Sequence, residues 1–524
     1  MKKSLNLIFT FLFLLSFNIY AQDDDPVIQN IIKEANENSD LERLAHELLD
    51  VVGPRLVGTP QMANAGDWAV NQFKEWKIEA KNEQYGEWRG WERGITHVDM
   101  VYPRIQTLDG MQLAWSYSTP PEGITAEVII LSEVKDSLDF QKWLPNVKGK
   151  FVMIYQKEIT GRPDENWEEY ATEESFTKMK SERDSLTKAW RENMARTGYA
   201  SRYNIGLSKK GIALLEDAGA VGIISSYWSK GFGVNRIFSA NTKKVPRIDL
   251  ELEDYTMLYR MVEYGDKPQI KVVAESKELG VVPAFNIIGE IKGVEKPNEY
   301  VMLSAHFDSW DGATGATDNG TGTLVMMETM RILKKMYSNP KRTILIGLWG
   351  SEEQGLNGSR AYVEDHPEIV ANIQAVFNQD NGTGRVTEIS GSGFVDAYEY
   401  VSDWLYPVPQ DIKKHIKTEF PGTPSSGGSD HAAFIAAGAP AFSLSSLSWD
   451  YGTYTWHTNR DTYDKIVFDD VRNNVILTAI LTYMASEDPD KTSREKRVMP
   501  KSSRTGNQTS WPTPRSPKRK GGLD

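Results

Sequence analysis

Apolar and polar positions along the chain alternate in three regimes. LERLAHELLDVV (41–52) and QMANAGDWAVNQFKEW (61–76) carry apolar residues at helical spacing. Between them lies GPRLVGTP, a turn built from Gly53, Pro54, Gly58 and Pro60. Short β-rich runs follow: ITHVDMVYP (95–103), AEVIILSEV (126–134) and GKFVMIYQ (149–156). A charged stretch between about Lys157 and Tyr203 then reads as a solvated helix pair, after which GIALLEDAGAVGIISSY (211–227) and VPRIDLELEDYTMLYRMV (245–262) resume an α/β pattern. From about Val282 the alternation becomes regular. EYVMLSAHFD, RTILIGLWG, QAVFNQD and PAFSLSS read as strands, and GTLVMMETMRILKKM, LNGSRAYVEDHP, VDAYEYVSDWL, DHAAFIAAG and DDVRNNVILTAILTYMAS as helices. Strands that alternate with helices predict an α/β fold with a mostly parallel sheet sandwiched by helices, and sites in such sheets form at the carboxyl ends of the strands.

Length and charge refine this picture. A chain of 524 residues exceeds one ordinary core, which predicts two domains or one with a large insertion. Residues 1–21 begin with Lys2 and Lys3, continue as an apolar stretch and end in Ile19 and Ala21 at cleavage-site positions. They read as a secretory signal cut after Ala21, which implies a secreted or periplasmic protein with no transmembrane segment after cleavage. The chain has no cysteine, so neither a disulfide nor a lipidated cysteine supports it. Net charge is −12; setting aside a leader of +2 and a tail from Lys491 of +8 leaves the body at −22, which argues against nucleic acid as a partner. The tail, 491–524, reads as a basic disordered segment, with adhesion to an anionic surface as its functional alternative.

The chemistry concentrates at the strand ends. His306 and Asp308 close one expected strand, Glu352 and Glu353 follow the next, Asp380 closes a third, Asp318 opens the helix after GATGATDNGTG, and His457 lies in TYTWHTNRDTYDKI. So many carboxylates in one cleft need a counter-charge, and a pair of divalent cations supplies it. Three ligand carboxylates (Asp318, Glu353 and Asp380) with two imidazoles (His306 and His457) suit two Zn²⁺ ions, and Asp318 at the glycine turn is the natural bridge. Residues i and i+2 of a strand point the same way, so the Asp308 carboxylate is expected to accept the free N–H of His306 and fix its tautomer. The adjacent pair Glu352–Glu353 divides between metal binding and general-base work. Asp311 is expected only to tie down the turn, and the tryptophans, including Trp88 and Trp91, to pack the core. The glycosylation sequons at Asn319 and Asn381 fall inside site loops, where a glycan would block the cleft.

The series HFD, TDNGTG, SEEQG, NQDNG and WHTNRDTYDK resembles the M28 family of co-catalytic zinc exopeptidases. STPPEGITAEVIIL (118–131) and SDHAAFIAAGAPAFSL (429–444) resemble its carboxypeptidase Q branch, and the likeness spans about Leu41 to Ser486. The resemblance implies two Zn²⁺ per subunit, one held by His306 and Asp380, the other by Glu353 and His457, with Asp318 bridging. It implies Glu352 as general base and proton shuttle and Asp308 as the partner of His306. His431 matches a position facing the substrate, as an oxyanion or carbonyl partner or as a structural residue. The implied fold is zinc-aminopeptidase-like with an inserted β-rich protease-associated domain: signal 1–21, N-terminal part of the catalytic domain 22–119, insert 120–280, catalytic domain 281–490 and tail 491–524. The implied activity is hydrolysis of short peptides, as an aminopeptidase, carboxypeptidase or dipeptidase, in a possible homodimer. The alternatives on the same fold are a glutaminyl-cyclase-like acyltransferase, which typically uses one zinc, and a non-catalytic receptor-like relative.

Overall fold

The computed structural model describes residues 25–201, 206–381 and 383–522. The signal reading at 1–21 lies outside the described residues. Among the described residues no helix is long and apolar enough to cross a membrane.

Strands with apolar runs on both faces pair where helices can cover them. Lys296–His306, Arg342–Trp349 and Ile373–Asn378 lie side by side in parallel, with Ala441–Ser446 parallel beyond Ile373–Asn378. Val386–Ser390 runs antiparallel next to Ala441–Ser446, and Gln269–Ile291 antiparallel next to Arg342–Trp349, so the sheet is mixed. The helices Pro26–Glu37, Thr321–Met336 and Phe468–Glu487 pack together, and their buried faces join the sheet in one large core. A central mixed sheet flanked by helices is therefore the architecture of the catalytic part.

A long two-stranded ribbon, absent from the sequence expectation, joins this sheet to a second unit. Glu79–Tyr102 pairs antiparallel with Gln269–Ile291 along nearly its whole length, interrupted by bulges. At its far end Ile124–Ile130, Phe151–Met153, Gly222–Ser225 and Arg247–Leu250 form a small parallel sheet. Two hydrophobic clusters, which include Leu258 in one and Ile212 in the other, bury the strands of that sheet. The boundary expected at 280/281 falls inside the strand Gln269–Ile291, because the ribbon belongs to both units. The second unit is α/β rather than β-rich, and the charged stretch folds as the helices Asp164–Tyr170 and Glu173–Thr197.

The tail also departs from expectation. Three of its arginines meet the body of the protein: Arg494 donates to the carbonyls of Gly438, Val370 and Ile373, Arg497 to that of Gly422, and Arg519 to that of Tyr85 and to the Asp365 carboxylate. Trp511 donates to the carbonyl of Ile435 and packs edge-on against Phe394, and Lys520–Gly521 adds a short parallel strand beside Glu87–Trp88.

Candidate metal centre

Three parallel strands deliver the site. His306 ends one, Glu352 and Glu353 follow the next by a short turn, and Asp380 stands two residues beyond the third. Asp318 comes from the segment joining Lys296–His306 to Thr321–Met336. That connection folds back sharply at Gly315, whose φ is 63° and where a Cβ would lie 2.3 Å from that of Ser309. His457 arrives from the loop after Tyr451–Thr455, at a left-handed φ of 59°, its carbonyl held by the Ile237 N–H at 2.7 Å.

The side chains converge as two overlapping groups, His306–Asp318–Asp380 and Asp318–Glu353–His457. His306 Nε2 lies 3.1 Å from Asp380 Oδ1 and 3.3 Å from Asp318 Oδ1. His457 Nε2 lies 2.9 Å from Glu353 Oε2 and 3.5 Å from Asp318 Oδ2. All five side chains are 10% exposed or less. The donor set tests the metal reading directly. His306 Nδ1 donates to the carbonyl of Asp308 at 2.9 Å, so in a neutral ring Nε2 carries a lone pair aimed at two carboxylate oxygens. Lone pair against carboxylate is repulsive, and either a proton on Nε2 or a metal cation between the groups relieves it. Asp318 Oδ2 and Glu353 Oε1 are buried without a hydrogen-bond partner among the described residues. Nitrogen and carboxylate donors of this kind fit zinc.

Electrostatics point the same way. Burial, reinforced by neighbouring carboxylates, pushes Glu352 and Glu353 well above the usual carboxylate range. Burial pulls His457 down to about 4, leaving it neutral, whereas His306 rises because Asp380 and Asp318 outweigh its burial. Added positive charge, such as a bound metal ion carries, relieves this crowding of acids.

Asp308 corrects the sequence expectation. Its carboxylate stands 3.8 Å from His306 Nδ1, and it is the backbone carbonyl that orients the ring. The side chain accepts instead from the N–H groups of Glu352, at 3.0 Å, and Glu353, at 3.4 Å. The reason is position: Asp308 lies two residues past the strand end, where i, i+2 alignment no longer applies. His431, at the start of His431–Ala436, lines the same cavity, with burial lowering it to about 4. Asp311 accepts from Arg93 Nε at 2.7 Å, which anchors the turn to the ribbon. Asn319 is wholly buried and bonded to Gln379, so it has no room for a glycan.

Sequence reasoning missed several supports. Arg55, in GPRLVGTP, is fully buried and donates to the carbonyls of Gly53, Phe307, Thr314 and Gly315. Asp461 accepts from the N–H groups of Thr317 and Asp318, and Trp310 Nε1 donates to Glu353 at 2.8 Å. Tyr451 lines the cavity beside Asp318. Asp461 lies inside the motif around His457, Trp310 inside the motif around His306 and Asp308, and Arg55 in the turn GPRLVGTP, so each stood near a signal without being singled out.

Residues 286–481 match the model of peptidase family M28. They span every one of these ligands. The chain is 28% identical over 458 residues to the carboxypeptidase Q of Pongo abelii and to that of Homo sapiens, covering 86% of this chain and of each relative. The chain is a metallopeptidase whose residues 286–481 are similar to peptidase family M28. Solved structures with a similar fold include the M28 peptidase precursor of Shewanella amazonensis SB2B (TM-score 0.63, 22% identity, 90% of this chain and 98% of that one). Another is the zinc aminopeptidase BSAP of Bacillus subtilis (TM-score 0.54, 19% identity, 89% and 97%). In this metallopeptidase the cavity beside the candidate ligand groups has a volume of about 320 Å³ and is walled by Ser429, His431, Tyr451 and Trp456.

Proposed function

We propose that the chain is a secreted dizinc exopeptidase that hydrolyses short peptides, with Glu352 as general base. The observation that carries this is the pair of ligand groups sharing Asp318. His306 and Asp380 would hold one Zn²⁺, Glu353 and His457 the other, and Asp318 would bridge them. When bound, the ions would acidify water and polarise a peptide carbonyl. Glu352 is not needed as a ligand, and Asp308 fixes its backbone at the mouth of the cavity. Raised by burial, it takes a proton from the attacking water and returns it to the leaving amine. His431, neutral and with Nδ1 free of any partner among the described residues, faces the same cavity and supplies a hydrogen bond to the developing oxyanion.

The second unit corresponds in this reading to the protease-associated insert. Two zinc sites distinguish the peptidase from a glutaminyl cyclase, and the complete ligand set with Glu352 distinguishes it from a receptor-like relative. The test combines metal counting with one variant. Zinc-loaded protein should contain two ions per chain and lose hydrolysis of free dipeptides with chelator. Glu352→Gln should keep both ions while kcat falls by about 10²–10⁴. One ion per chain, or a Glu352→Gln variant with wild-type kcat, would sink the assignment.

A further inference from the structure

The turn that carries Glu352 and Glu353 is held from two sides. On the cavity side the Asp308 carboxylate accepts the N–H groups of both residues. On the outer side stands Ser351, fully buried and in the left-handed region at a φ of 48°, a conformation that persists only where its surroundings enforce it. The Tyr85 hydroxyl, from the ribbon strand Glu79–Tyr102, meets the Ser351 hydroxyl at 2.5 Å. Asn357, which opens the helix Asn357–Asp365, donates from Nδ2 to the carbonyls of Ser351, at 3.4 Å, and Gln354, at 3.2 Å. Tyr85 and Asn357 are both buried.

The C-terminal segment stands behind both of them. The Lys518 N–H donates to Asn357 Oδ1 at 2.8 Å, so the Asn357 amide holds the tail at one end and the turn at the other. Arg519 Nη1 donates to the carbonyl of Tyr85 at 3.0 Å, and the same guanidinium pairs with Asp365, the last residue of the helix that Asn357 opens. Lys520–Gly521 then lies parallel to Glu87–Trp88, and the Glu87 N–H donates to the Arg519 carbonyl at 2.7 Å. The ribbon is shaped for this approach, since a Cβ on Gly86 would lie 2.4 Å from that carbonyl. A segment 161 positions downstream of Asn357 thus clasps one helix at both ends and grips the strand that presents Tyr85.

A general base works only within hydrogen-bond reach of the proton it takes, and a misplacement of about 1 Å can lower a rate about 10²-fold. We propose that Lys518–Gly521 is a strap that positions the general base: it fixes Tyr85 and Asn357, and these fix Ser351 and with it Glu352. Tyr85 and Asn357 are positioning residues, acting through the turn. The inference rests on Glu352 as general base and deepens that reading by naming what holds the residue in place. Loss of the C-terminus slows the reaction without removing a candidate metal ligand or a residue that walls the cavity beside it.

The test deletes residues 518–524 and leaves Trp511 in place. With zinc-loaded protein and Ala-Phe as substrate, kcat per folded chain should fall about tenfold while KM stays within about twofold and zinc content keeps its full-length value. Tyr85→Phe, which keeps the ring and removes the hydroxyl, combined with Asn357→Ala should give a loss of similar size. Because the strap acts through these two residues, the deletion made in that double variant should lower kcat by less than about twofold further. A strap that only adds stability would lower Tm and leave kcat per folded chain unchanged. That result, or a further tenfold loss in the double variant, overturns the proposal. Hydrogen exchange separates it from the peptidase reading: the deletion should speed exchange of the amides of residues 350–356 severalfold, whether or not the chain cleaves Ala-Phe. Faster exchange in a protein whose full-length form leaves free dipeptides intact supports the strap and refutes the role of Glu352. Unchanged exchange in an active protein refutes the strap.

Discussion

The Asp308 carboxylate separates two tasks that share one residue. Its carbonyl sets the His306 tautomer, whereas its side chain holds the turn carrying Glu352 and Glu353. Asp308→Ala removes the second task and leaves the first, since every residue keeps its carbonyl. It orphans two N–H groups at about 1–3 kcal/mol each, so the variant should melt earlier, lose kcat, and still retain zinc at His306 and Asp380. Metal analysis beside kcat checks this, and selective loss of that zinc with normal kcat per bound metal would contradict it. At this scale the ligands were legible in the sequence because His, Asp and Glu at the ends of apolar runs have few other reasons to cluster. Arg55 and Trp310 were not. Arginine in a Gly-Pro turn and tryptophan beside acids are common for many reasons, and their partners are carbonyls or carboxylates far away in the chain.

Between elements, the second unit reaches into the centre. Asn235 and Asn459 exchange backbone and side-chain hydrogen bonds, Ile237 N–H holds the His457 carbonyl, and the Phe238 ring stands edge-on to His457 at 5.2 Å. This segment fixes the backbone of a histidine held in the left-handed region. Asn459→Ala should therefore weaken one zinc equivalent about 10–100-fold and spare the other, as seen by competition with a chelator; two unchanged affinities would show that the segment only packs. Nearby, Asp249 accepts from the N–H groups of Tyr227 and Arg236, yet burial outweighs those bonds and raises it to about 8. Unfolded, an aspartate titrates near about 4, so between about pH 4 and 8 the native state holds a proton that the unfolded chain has released. Stability from this group thus falls as pH rises across that window. In Asp249→Asn the fall should vanish, and the Tm drop between pH 5 and 8 should be smaller than in the wild type. The catalytic strands were legible as continuous apolar runs; the ribbon was not. Glu79–Tyr102 and Gln269–Ile291 are charged, bulged and exposed along their middles, so the alternation at ITHVDMVYP and at Gln269–Ala274 does not continue as one period over the full ribbon.

Over the whole molecule, the tail is the clearest case of composition misleading the eye. Pro-rich, basic sequence usually stays solvated, but here it lies against a body of net charge −22, and Arg494, Arg497 and Arg519 find carbonyls and Asp365. Its last described residues close an aromatic cavity beside Trp115 and Trp310: Lys518 and Gly522 line it, and Gly521 sits so near the Trp88 ring that a Cβ there would lie 2.0 Å from it. No other residue fits that position without moving the ring. Removing residues 510–524 therefore takes away both the Trp511 anchor and one wall of the cavity. The Trp511 hydrogen bond contributes about 1 kcal/mol and burial of its ring roughly 1.5–3 kcal/mol, so the truncated chain should lose at least about 2 kcal/mol of stability. Its zinc content should stay at the full-length value, because among the described residues the candidate ligand groups include none from the tail. An unchanged Tm would show that the segment lies on the surface without supporting it.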